Sequence, residues 1–85
     1  MDRRYTVELH LPDGGWAGVQ EAATRARDAT RESERVRFLR SIYVPEDDAC
    51  FFLYEGPSAQ SVRAAARRAK LGVRRVDAAM RLEGS

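Results

Sequence analysis

An order of strand, helix, strand, strand, helix, strand predicts an α+β sandwich, and three observations carry that order. Residues 4–11, RYTVELHL, alternate between apolar and polar side chains with the period of two that marks a half-buried strand. Residues 36–55 read as two strands folded about the turn Pro45-Glu46-Asp47-Asp48. Two Ala-rich stretches, one after Gly14-Gly15 and one after Gly56-Pro57-Ser58, carry apolar residues at helical spacing. With right-handed crossovers this order gives the ferredoxin-like split βαβ sandwich, a four-stranded antiparallel sheet with both helices on one face.

Each element has its own warrant. In the first strand Tyr5, Val7, Leu9 and Leu11 share one face, and Thr6, Glu8 and His10 share the other. Pro12-Asp13-Gly14-Gly15 ends it. From Trp16 the period becomes helical: Trp16, Val19, Ala23 and Ala26 form a stripe, Asp13 or a nearby glycine can cap, and Glu21 precedes Arg25 by one turn. This helix is expected to end near Glu32. Val36, Phe38, Ile42 and Val44 then alternate with Arg37, Leu39, Ser41 and Tyr43, and the run ACFFLYE is rich in strand formers. Gly56-Pro57 breaks that strand, Ser58 is a good N-cap, and Val62, Ala65, Ala66 and Ala69 give the second helix a narrow apolar stripe. Gly72 is expected to stop it. Val76, Ala78, Met80 and Leu82 alternate with Asp77, Ala79 and Arg81 as the last strand.

Composition narrows the function classes. Eighty-five residues, 44% hydrophobic and 33% charged, suit one domain spanning residues 1–85. The lone Cys50 excludes an internal disulfide and every paired-cysteine zinc pattern. No stretch approaches the roughly 18 apolar residues of a membrane span, and the amino end lacks a signal-peptide core, so a soluble, cytoplasmic protein is expected. Net charge is +2 but uneven: residues 1–55 hold eight basic and eleven acidic side chains, and residues 56–85 hold seven basic and two acidic. The basic part is the carboxyl-terminal third.

The predicted architecture leaves one sheet face without helices. With Val7, Leu9, Val76 and Met80 turned to the helices, the open face carries Thr6, Glu8, His10, Asp77, Ala79 and Arg81. It also takes one alternating set from the hairpin, expected to be Cys50, Phe52 and Tyr54, with Phe51 and Leu53 serving the core. An open face with central aromatics calls for a cover, and a homodimer through that face is the expected partner.

Three stretches in order, FLRSIYVPED, LYEGPSAQSVRAAARRA and RRVDAA, carry a family resemblance. Over residues 4–80 the chain resembles a family of small dimeric ferredoxin-like proteins of mostly unknown function, one branch of which is described as nickel-binding. The firmest motif is Tyr54-Glu55-Gly56-Pro57-Ser58 with the helix ending Arg67-Arg68-Ala69. The resemblance implies nickel, or another divalent transition metal, as the cofactor to test, and otherwise none. Departures are specific. Family members commonly carry cysteine directly before the Leu-Tyr-Glu triplet, where this chain has Phe52, and histidine just upstream of the Arg-Arg pair, where it has Ala65 and Ala66.

Among the residues themselves, His10 with Glu8, two apart on one strand face and joined by Asp77 from the last strand, is the candidate metal set. A dimer doubles it. Glu46, Asp47 and Asp48 read as a solvated turn, lacking the spaced oxygens and glycine of a calcium loop. Arg63, Arg67 and Lys70 recur along the second helix, with Arg74 in register beyond, and form the candidate anion-binding stripe. RNA recognition through this fold needs a basic residue and glycines among the aromatics of the third strand; DACFFLYE has neither, which counts against nucleic acid. No catalytic set is assignable. An enzyme on a dimeric α+β barrel, using His10, Tyr43 or Tyr54 on a hydrophobic substrate, rests on fold analogy alone. The preferred reading is a non-enzymatic metal- or ligand-binding homodimer. A binding module for an anionic partner is the alternative.

Overall fold

The computed structural model describes residues 3–11, 13–31 and 35–79. Tyr5, Val7 and Leu9 are buried while Thr6 and Glu8 are half-buried, so the alternation read from the sequence builds β1 (Arg3–Leu9) with one face in the core. Gly14 and Gly15, with φ of 92° and 61°, turn the chain into α1 (Gly15–Arg31). That helix buries Val19, Ala22, Ala23, Ala26 and Thr30. A hairpin of β2 (Arg37–Val44) and β3 (Ala49–Gly56) follows. Its loop is a single 3-10 turn over Pro45–Asp47, closed by the Asp48 N–H on the Pro45 carbonyl at 3.2 Å. After α2 (Ala59–Arg68) the chain ends its described part in β4 (Val73–Ala78).

The sheet order is β2-β3-β1-β4 and every pairing is antiparallel, the ferredoxin-like arrangement. Both helices pack on one side. Small residues make this close packing possible: Val62, Ala65 and Ala66 of α2 and Ala22 and Ala26 of α1 lie at 1% exposure or less against Val7, Phe52 and Tyr54. Phe38 seals the β2 side, edge-on to Phe52 at 5.1 Å and to Tyr54 at 5.6 Å, with the Arg27 guanidinium 5.5 Å from its ring.

The ends of α2 are set by different devices. Ser58 caps the start, its hydroxyl accepting from the Ser61 N–H at 3.1 Å. At the other end the Lys70 N–H donates to the Arg67 carbonyl at 2.9 Å and the Leu71 N–H to the Ala66 carbonyl at 3.2 Å, with Lys70 at φ 60°. This is a Schellman stop, with buried Leu71 packed back on the helix. The left-handed residue is therefore Lys70, not the expected Gly72. Arg25 of α1 adds a further partner, its Nε donating to the Ala69 carbonyl at 3.0 Å.

Three expectations change. Cys50, Phe52 and Tyr54 point into the core at zero exposure, and Phe51 and Leu53 take the open face. The register explains it: Val7 pairs with Phe52 and Tyr5 with Tyr54, so these share the helix side, while Thr6 pairs with Leu53 and Glu8 with Phe51. The second change is in β2, where the register slips between Phe38 and Arg40. The bulge at Leu39 reverses the alternation, so Ser41 and Tyr43 lie on the core side and Ile42 and Val44 on the open side. Third, Trp16 leaves the helix stripe; it is 51% exposed and stacks on Tyr43, centroids 5.9 Å apart. Met80, Arg81 and Leu82 lie outside the described residues, and β4 begins at Val73 rather than Val76.

Candidate functional site: the uncovered sheet face

Register places the open-face side chains in rows across β2, β3, β1 and β4. One row runs Arg37, Glu55, Arg4; the next Arg40, Leu53, Thr6, Asp77; the next Ile42, Phe51, Glu8, Arg75; and Val44 and Ala49 follow. The face is thus divided. Its β2–β3 half carries an apolar patch of Leu53, Ile42, Phe51, Val44 and Ala49, flanked by Arg40 and the Arg37–Glu55 pair, and Ile42 is 42% exposed. Its β1–β4 half is charged.

The charged half is an ion-pair network. Arg75 Nε donates to Asp77 Oδ2 at 2.7 Å and lies 3.8 Å from Glu8 Oε1, while Arg74 Nη1 lies 3.9 Å from Glu8 Oε2. The hydrogen bond to Asp77, its charge and then that of Glu8 raise the Arg75 pKa, which keeps the guanidinium charged. At the far corner Arg37 lies 3.8 Å from Glu55.

The expected metal set is dispersed among these contacts. Glu8 and Asp77 do share the open face, with Arg75 between them. His10 stands one residue past β1, exposed, its backbone N–H donating to the Gly72 carbonyl at 2.8 Å. The His10 side chain lies over Gly72, where an added Cβ would make ordinary van der Waals contact with it at 3.5–3.6 Å. Cys50 is fully buried, and desolvation raises its thiol pKa, the opposite of what a thiolate ligand needs.

The expected cationic stripe is broken as well. Because α2 ends at Arg68, Lys70 leaves the helical register, and Arg74 belongs to β4, where it pairs with Glu8. Arg63 and Arg67 remain on the helix. Among the described residues neither they nor Arg68 and Lys70 form an ion pair.

Of the tyrosines considered for an enzyme, Tyr43 stacks on Trp16 and Tyr54 has no exposed surface. Burial pushes the Tyr54 phenol well above its ordinary 10, so it stays protonated, and its hydroxyl has no hydrogen-bond partner among the described residues.

Residues 5–78 match the sequence model of the family described as "Nickel responsive protein SCO4226-like". The chain belongs to this family. Among solved structures it is similar to "Crystal structure analysis of SCO4226 from Streptomyces coelicolor A3(2)", at a TM-score of 0.69 and 20% identity, with 96% of this chain and 98% of that one covered. At that identity the likeness speaks for the fold. No curated protein matches the chain.

The family description makes nickel the group whose fit must be tested. Nickel at an imidazole, thiolate or carboxylate site needs several donors converging on one point. Among the described residues no group of three or more His, Cys, Asp or Glu side chains is placed to hold a metal ion. The only thiol is in the core, and the two open-face carboxylates that the metal set requires are held by arginines. Among the described residues the donors present do not fit a nickel ion. No helix of the described residues is long and apolar enough to cross a membrane.

Proposed function

We propose that this member of the SCO4226-like family is a non-enzymatic binding protein that works as a homodimer, with the uncovered sheet face as the contact between copies. One observation supports the reading above the others: Ile42, Phe51, Leu53, Val44 and Ala49 form a contiguous apolar patch on the side of the sheet that neither α1 nor α2 covers. A two-fold contact is self-complementary, so an apolar half closing on its counterpart buries both at once. The charged half then forms a polar rim, its carboxylates already matched by Arg74 and Arg75. Sedimentation velocity over a range of concentrations tests this. A species of twice the 9.6 kDa chain mass is expected, and a monomer throughout removes the reading.

A second reading has its own support. Residues 56–76 carry six basic side chains and no acidic one, and Arg63, Arg67, Arg68 and Lys70 are without ion pairs among the described residues. Such a surface suits an anionic partner through phosphate-type contacts. The opposing consideration is that cations near a helix C-terminus are favoured by the helix dipole without any partner. Retention on heparin separates the two: steep salt dependence that falls with Arg63→Gln and Arg67→Gln supports an anionic partner, and elution at low salt in all variants rejects it.

A further inference from the structure

We infer that the Arg75 guanidinium is the resident cation of the open sheet face: Glu8 and Asp77 form a cation site that the chain fills from within. Arg75 pairs with Glu8 across β1 and β4 and lies two residues from Asp77 on the same strand face. It reaches both, at 3.8 Å and 2.7 Å. Arg74, the extra residue where the β1–β4 register shifts, reaches the second oxygen of Glu8 at 3.9 Å. Two acidic side chains thus meet two guanidinium groups. A divalent ion entering here would have to displace Arg75 and would then meet oxygen donors with one imidazole at the strand end, a set better suited to hard cations than to nickel.

Two effects oppose the metal. Arg75 is exposed in both of its pairs while Glu8 is half-buried, so displacing it weakens binding by about fivefold at most for each exposed pair. The missing donor adds to this. Position 75 sits directly opposite Glu8, where cross-strand side chains lie about 5 Å apart at Cβ, close enough for two ligands to share one ion. An imidazole at this position would join Glu8 and Asp77 on one face, with His10 beyond. Arginine there removes a ligand and supplies the charge that a metal would otherwise supply. The inference depends on the intrachain geometry of β1 and β4 and holds whether or not the chain dimerises.

Calorimetric titration of the tag-free full chain with nickel chloride and zinc chloride tests it, with circular dichroism confirming that each variant is folded. The wild-type chain is expected to show no saturable binding. Arg75→Gln is expected to change that little, and Arg75→His to give saturable binding where the wild-type chain gives none. Glu8→Gln in the Arg75→His background should abolish the gain. Tight nickel binding by the wild-type chain that is lost with Glu8→Gln overturns the inference, and so does a folded Arg75→His variant that binds no better than wild type. Sedimentation of the same samples reads self-association separately, so failure of the dimer and failure of the cation site remain distinguishable.

Discussion

Phe51 and Ile42 lie directly opposite one another on β3 and β2, on the side of the sheet that faces away from both helices. Neither contributes to the buried core. The pair forms the centre of the apolar patch, and it is where the proposed self-association should be most easily broken. A charge placed at Phe51 should cost the fold little but the contact about 2 kcal/mol or more, the range of a central interface anchor. Phe51→Glu is therefore expected to be monomeric with a thermal midpoint close to that of the wild-type monomer, read by sedimentation and circular dichroism. Leu53→Lys, one row away, should behave in the same way.

Tyr54 makes the reverse case, a residue of the core whose polar atom contributes nothing visible there. Its ring fills space against Phe38, but its hydroxyl is buried without a partner among the described residues. An unsatisfied buried hydroxyl costs about 1–3 kcal/mol, so Tyr54→Phe, which keeps the ring, should stabilise the fold by about 1 kcal/mol in urea unfolding. Loss of stability in that variant would show that the hydroxyl has a partner.

The same residue sets the alkaline limit. The Tyr54 pKa is raised above its ordinary 10 and that of Cys50 above its ordinary 9.0, each by burial. A raised folded pKa means that the folded state holds the proton more tightly, so the contribution is fully present below the unfolded value and lost as pH climbs above it. Stability should fall from about pH 9, by roughly 1.4 kcal/mol per pH unit for each of the two protons. Above pH 10 the Tyr54→Phe slope should be shallower by one proton, measured by urea midpoints at successive pH values.

Lys70 holds a left-handed conformation that glycine adopts without cost, at the stop of α2. Relief of that strain outweighs the extra chain entropy of glycine, and Lys70→Gly should stabilise by about 0.5–1 kcal/mol. The check is the thermal midpoint. A decrease would mean that the Lys70 side chain makes a contact worth more than the strain.

The fold was legible because its signals were redundant: β1 alternates cleanly, Ser58 caps α2 as its chemistry suggests, and the hairpin turn is marked by Pro45. The open face was not, for a physical reason. Both sides of ACFFLYE are apolar, so hydrophobicity alone cannot say which set faces the helices. The available signal was Glu55, which shares the parity of Phe51 and Leu53 and therefore marks their side as the one open to solvent. The bulge at Leu39 left no comparable trace, since no residue type compels it, and it moved Ile42 to the open face. Lys70 misled in another way: glycine is the usual left-handed stop, and Gly72 stood two residues beyond. The Arg75 position follows the same alternation that puts Asp77 on the open face, with Glu8 opposite Arg75 as Thr6 is opposite Asp77; what the sequence hid is the shift just beyond, between Glu8 and Leu9, which makes Arg74 the extra residue that also reaches Glu8.

Isotope-filtered nuclear Overhauser spectroscopy on a mixture of labelled and unlabelled chains tests the central claim most directly, because it sees only contacts between copies. Cross-peaks between copies involving the Phe51 ring and the Ile42, Val44 and Leu53 methyl groups are predicted. Their absence in a sample that sediments as a dimer, or their appearance on the helix side instead, would contradict the assignment of the uncovered sheet face as the contact.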